Sequence, residues 1–141
     1  MVTLHLGAEH HEGVDIDLPD RPQGREGWFD AEVLVRVDGF AATASVYFET
    51  HDFARFLEGL RSLYQTLGGT ATLDPRERQL TLAASGNGRG AIDVRGVLFS
   101  RPTYGTKLEF EYQIDQTYLP TVIEVLEHFV ETYEGGAVPI A

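Results

Sequence analysis

From Leu108 to Ile114 the chain alternates, with Leu108, Phe110, Tyr112 and Ile114 apolar and Glu109, Glu111 and Gln113 polar between them. That period of two predicts a strand with one packed face and one face in water. Beyond a polar corner, Asp115 to Pro120, the period changes. Leu119, Val122, Ile123, Leu126, Phe129, Val130 and Tyr133 recur at three and four, with Glu124, Glu127, His128 and Glu131 on the opposite side, which predicts an amphipathic helix. Burying such a side chain contributes roughly 1.5 to 3 kcal/mol, while ordering the backbone costs about 1 to 2 kcal/mol per residue, so this helix must lie on a sheet.

A second helix is predicted where Phe53, Phe56, Leu57, Leu60, Leu63, Tyr64 and Leu67 form one stripe, opened by Thr50 as N-cap, with Asp52 near the dipole, and closed by Gly68-Gly69. Phe29 to Val37 and Phe40 to Glu49 read as a hairpin about Asp38-Gly39, with Val33, Val35 and Val37 facing Ala42, Ala44, Val46 and Phe48. Further strands are expected at Val2 to Leu6, Gly13 to Leu18, Thr70 to Leu73, Gln79 to Ala84 and Ala91 to Phe99. Turns or loops separate them at Pro19 to Gly27, Asp74-Pro75, Gly86 to Gly90 and Arg101 to Gly105. A shift of 66 positions maps the first helix stripe onto the second, a spacing that any two core-facing helices at equivalent places would share.

Hairpins and segregated helices predict an α+β fold: an antiparallel sheet of about six or seven strands with two amphipathic helices packed on one face. The length of 141 residues suits a single domain, with N-terminal strands and linker over 1–27, a meander and helix body over 28–134 and a loose tail over 135–141. On the outer sheet face, Tyr47, Leu34 and Phe99 are expected to form an apolar centre among charged neighbours, including Glu32, Arg36, Asp93, Arg95, Lys107, Glu109 and Glu111.

Charge narrows the partners. With 22 acidic and 11 basic residues the formal net charge is −11, which opposes binding to nucleic acid or an anionic membrane surface and favours a basic partner. The absence of cysteine excludes disulfides, thiolate metal sites and a cysteine nucleophile. No apolar run reaches transmembrane length and the N-terminal stretch lacks the pattern of a signal peptide, so a cytoplasmic location is expected.

No cofactor or catalytic signature emerges. The Gly86 to Gly90 loop runs into another strand rather than a helix N-terminus, so it reads as a hairpin turn rather than a phosphate cradle. His10 and His11 are adjacent and point apart on an extended chain, which suits a solvated loop better than a metal site. His51 and His128 have no recognisable triad partner. In the corner, Asp115 or Thr117 can cap the following helix, Tyr118 can pin the turn and Pro120 suits a first helical turn.

Several features together resemble the WapI-type bacterial immunity proteins: Gly39-Phe40, Glu49-Thr50 with Phe53 and Phe56, and Leu63-Tyr64 with Leu67, Gly69, Ala71 and Leu73. The resemblance continues through Gly88-Arg89-Gly90, Leu108 to Glu111 and the run Asp115 to Pro120. It implies a non-catalytic cytoplasmic protein that neutralises a cognate toxin domain, often an RNA-cleaving one. The acidic balance is consistent with occlusion of a basic active site. Candidate partner-binding residues are Glu109, Glu111, Glu124, Glu127, Glu131 and Tyr47, exposed by their place in the patterns above. The alternative is a general interaction or regulatory module, a homodimer through the outer sheet face among its forms.

Overall fold

The computed structural model describes residues 1–8, 12–20, 27–103 and 105–137, without the side chains of 133–137. Its strands are β1 (Val2–Gly7), β2 (Gly13–Leu18), β3 (Trp28–Val37), β4 (Phe40–Glu49), β5 (Gly68–Leu73), β6 (Leu80–Asn87), β7 (Ala91–Phe99) and β8 (Lys107–Asp115). Helix α1 (Thr50–Thr66) follows β4 and helix α2 (Leu119–Ala137) follows β8. Helix α2 therefore continues through Gly135 and Gly136, where the sequence suggested a tail; positions 138–141 lie outside the described residues, as do 21–26 of the expected linker.

The two helices and the antiparallel meanders are as expected, but the single sheet of six or seven strands is not. There are two four-stranded antiparallel sheets, ordered β1-β2-β3-β4 and β5-β6-β7-β8. The cause lies at the end of α1. Leu67, at φ 60°, takes the left-handed conformation assigned from sequence to the glycines, and its N–H donates to the Leu63 carbonyl at 2.7 Å. The chain thereby turns back so that β5 runs beside α1. At Gly59 the helix approaches β5 so closely that an added Cβ would sit 2.9 Å from Ala71 Cα. The helix occupies the flank where β4 would have to pair with β5, so a second sheet starts.

The 66-residue echo marks a repeated unit, four strands followed by a helix. In the first half the Thr50 N–H donates to the Gly27 carbonyl at 2.9 Å; in the second the Gln116 N–H donates to the Gly90 carbonyl at 2.8 Å. The halves interlock. Helix α1 and the outer-face residues Thr70 and Thr72 of β5 line one hollow; α2 and Thr3 and His5 of β1 line another. Each helix thus flanks the first strand of the other half. Tyr112 closes the join by donating its hydroxyl to the Leu6 carbonyl at 2.6 Å, and burial holds that phenol well above its usual pKa.

Both sheets and both helices contribute to one core, centred on Phe29, Phe48, Phe53 and Phe129. The helix stripes are buried as predicted from Phe53 to Leu63 and from Leu119 to Val130, with Ile123 half-buried. Tyr64 departs from the stripe at 44% exposed, while its neighbour Leu63 is buried. Tyr118 is 40% exposed and lines the hollow between α2 and β1, while Asp115 accepts from the Thr117 N–H at 2.9 Å and caps a 3-10 turn over Gln116–Tyr118.

The cap of α1 is Glu49 rather than Thr50. Its N–H donates to the Asp52 carboxylate at 2.8 Å, while the Thr50 hydroxyl donates to the Gly27 carbonyl at 2.7 Å. Asp52 is 5% exposed, and burial raises its carboxyl above the usual pKa. A raised folded-state pKa means that the folded chain holds this proton more tightly, so its stability contribution falls as pH rises through the folded value. Asp52→Asn keeps the accepting oxygen without the buried charge. It is expected to match or exceed the parent at pH 7, with the difference shrinking in acid, whereas Asp52→Ala loses about 1 kcal/mol. Urea denaturation at both pH values checks this.

Candidate functional site

The six candidate contacts fall on three separate surfaces. Glu109 and Glu111 face outward on β8, in the second sheet; Glu124, Glu127 and Glu131 are exposed on α2; Tyr47 faces outward on β4, in the first sheet. The expected apolar centre is likewise divided, since Leu34 and Tyr47 belong to the first sheet and Phe99 to the second.

On the second sheet, charges are largely matched. Across strands, Arg95 meets Glu111 at 3.5 Å and Gln113 donates to Asp93 at 3.0 Å, while along β8 Lys107 meets Glu109 at 2.9 Å. Exposed pairs of this kind contribute about 0 to 1 kcal/mol and exchange readily for a partner's charges. Between them runs an open trough of about 700 Å³, with Thr72, Thr81, Ala83 and Val97 along its lining and Asp74 and Arg78, 3.1 Å apart, also on it. On α2, Glu127 pairs with Arg61 at 2.7 Å, while Glu124 and Glu131 have no ion-pair partner among the described residues.

The first sheet is less balanced. The period of two places Asp15 and Asp17 of β2, Asp30 and Glu32 of β3 and Glu49 of β4 on the outer face, with Arg36 as the arginine among them. Arg36 reaches Asp15 at 3.5 Å; His5 also contacts Asp15, its Nε2 meeting the Ala8 carbonyl at 2.9 Å, and Thr3 donates to Asp17 at 2.7 Å. Trp28 and Tyr47 stack on this face with centroids 5.8 Å apart and planes 25° from parallel. Partial burial, then the Glu49 carboxylate 3.5 Å from its hydroxyl, raises the Tyr47 phenol above its usual pKa. Around Glu49, His51 Nδ1 lies at 3.2 Å and Arg76 at 3.8 Å, and His51 Nε2 lies 3.4 Å from Asp52.

Tryptophan and tyrosine are among the residues that protein interfaces concentrate at their centres, with charge towards the rim. Trp28 was not among the sequence candidates, although it is the lone tryptophan and stands in phase with Glu32 on β3; that alternation was the signal available. The pair His10-His11 lies outside the described residues, and no metal-holding group of His, Asp and Glu occurs among those described. Likewise, no described helix is long and apolar enough to cross a membrane.

The chain is thus an α+β domain of two meander-plus-helix halves with charged outer faces. The chain belongs to the immunity protein WapI-like family, whose model matches residues 5–134. No curated protein matches it by sequence. Among solved structures it is similar to a chain of the Trypanosoma bruciei MRP1/MRP2 structures, at TM-score 0.53 and 15% identity over 97% of this chain and 86% of that one. A guide-RNA-binding protein complex bound to a gRNA gives TM-score 0.57 at 12% identity, covering 98% of this chain and 97% of that one. The Enterobacter cloacae CdiA-CT/CdiI toxin and immunity complex gives TM-score 0.48 at 10% identity over 80% and 97%. At these identities the first two similarities define the fold.

Proposed function

We propose that the protein is a non-catalytic immunity protein of the cytoplasm that binds a cognate bacterial toxin domain and neutralises it by covering a basic active site. The observation that carries this reading is the family match over residues 5–134. The net charge of −11 supports the choice of partner surface, because an RNA-cleaving domain must present cations to phosphates and an acidic protein is steered towards them. Tyr47 would contribute aromatic contact, with Glu109, Glu111, Glu124, Glu127 and Glu131 as carboxylates within the attracting field.

The test is co-expression with the toxin-like domain encoded beside this chain's gene. Growth is expected to recover and the two chains to purify as a 1:1 complex whose affinity falls by roughly tenfold or more between low and high salt. Absence of both growth rescue and a complex would overturn the reading. Charge reversal at Glu109, Glu111, Glu124 and Glu127, one at a time, then ranks the surfaces by association rate.

A further inference from the structure

Of the four strands that end the two sheets, three are guarded. α2 flanks β1, α1 flanks β5, and β8 carries Lys107, Glu109 and Glu111, the charged residues that keep an edge from pairing with a foreign strand. β4 has none of these devices. Its ten residues, FAATASVYFE, contain no proline and no charge before Glu49.

The orientation of its free backbone groups follows from the turn. Val37 and Phe40 close a two-residue hairpin, so Phe40, Ala42, Ala44, Val46 and Phe48 exchange ladder bonds with β3. Ala41, Thr43, Ser45 and Tyr47 then turn their N–H and C=O groups away from it, and Glu49, in phase with them, gives its N–H to Asp52. These four have no backbone partner among the described residues. Phe40, 68% exposed beside a hollow of about 430 Å³, stands at one end of this edge, and the Trp28–Tyr47 stack at the other.

We infer that β4 is a docking edge, to which an extended segment of the toxin domain adds as a fifth strand with basic side chains at alternate positions. This rests on the immunity reading above. Main-chain bonds to Ala41, Thr43, Ser45 and Tyr47 supply affinity, and alternate side chains of the incoming strand lie over Tyr47 towards Glu32, Asp30 and Glu49. Charge chooses a basic occupant over a second copy, because self-pairing brings together two chains of net −11. The acids of β8 and α2 then act at longer range, on the encounter.

Amide hydrogen exchange on the complex with the toxin-like domain encoded beside the gene tests the proposal. The amides of Ala41, Thr43, Ser45 and Tyr47 are expected to exchange freely in the isolated protein and at least roughly 100-fold more slowly in the complex. Thr43→Pro removes an N–H that the sheet does not use, and is expected to raise Kd by about 10- to 100-fold. Thr43→Lys, which leaves the backbone intact, adds a repelling charge and is expected to weaken binding in the same sense. A complex in which these amides stay unprotected overturns the docking edge and leaves the immunity reading standing. Failure to form any complex overturns both. Protection of the same amides in the isolated chain, accompanied by dimerisation, replaces the basic strand with a second copy.

Discussion

Phe53→Ala is expected to lower folding stability by about 3 to 5 kcal/mol, a large part of the roughly 5 to 15 kcal/mol of a typical domain. Phe53 is fully buried near the start of α1, with ring centroids 5.0 Å from Phe48, 5.7 Å from Phe29 and 5.8 Å from Phe129. Those neighbours come from β3, β4 and α2, so the deletion opens a cavity between elements that are already tied to their own sheets and close on it poorly. The Phe53 ring also meets Phe48 and Phe129 edge-on and stacks on Phe29, which adds to area burial. The midpoint of guanidinium unfolding measures the loss. A change below 1 kcal/mol would mean that the helices and the first sheet do not share this centre.

The second large effect is expected at Gly96. It stands directly opposite Phe110 in the β7–β8 register, and a Cβ placed on it would lie 2.3 and 2.7 Å from atoms of the Phe110 ring and 2.9 Å from Leu82 Cδ2. The ring lies over the bare backbone, stacked on Tyr112 at a centroid distance of 6.3 Å. Gly96→Val therefore has to expel Phe110 or part the strands, and is expected to cost about 3 kcal/mol. Phe110→Ala frees the space, so the double variant should lose less than the two single losses combined. Strict additivity in that cycle would show that the ring and the glycine are not coupled.

Much of the local structure could be read from residue order, because it depends on near neighbours. The β3–β4 hairpin turns on Asp38 and Gly39 as the alternation implied, with Gly39 at φ 83°, and both helix stripes face inwards along most of their length. Less legible was how the faces meet. Alternation states that one side of a strand is covered and is silent about what covers it, so one sheet under two helices and two sheets interlocked with them leave the same mark on β5 to β8. Gly59 was the available clue to the packing, since a glycine within a helical pattern costs stability and calls for a packing reason, here the close approach of α1 to Ala71 of β5. Glu49 was hidden for a different reason: its cap works through Asp52, three residues on, and Thr50 was the more familiar capping side chain. Among candidate contacts, the sequence identified outward-facing acids on β8 and α2, but matching partners such as Arg95 for Glu111 and Arg61 for Glu127 come from other elements and become visible only in three dimensions.

The reciprocal flanking of β1 by α2 and β5 by α1 also sets an order in time. A nascent chain makes β1 long before α2, so the first sheet waits until the chain has passed Leu119 before its open side is sheltered, and the Tyr112 to Leu6 bond spans 106 positions. Contacts so distant in sequence slow folding, because the intervening loop must close before they reward it. During that wait the first half is a sheet with β1 and β4 both open, the state most inclined to pair with the wrong strand.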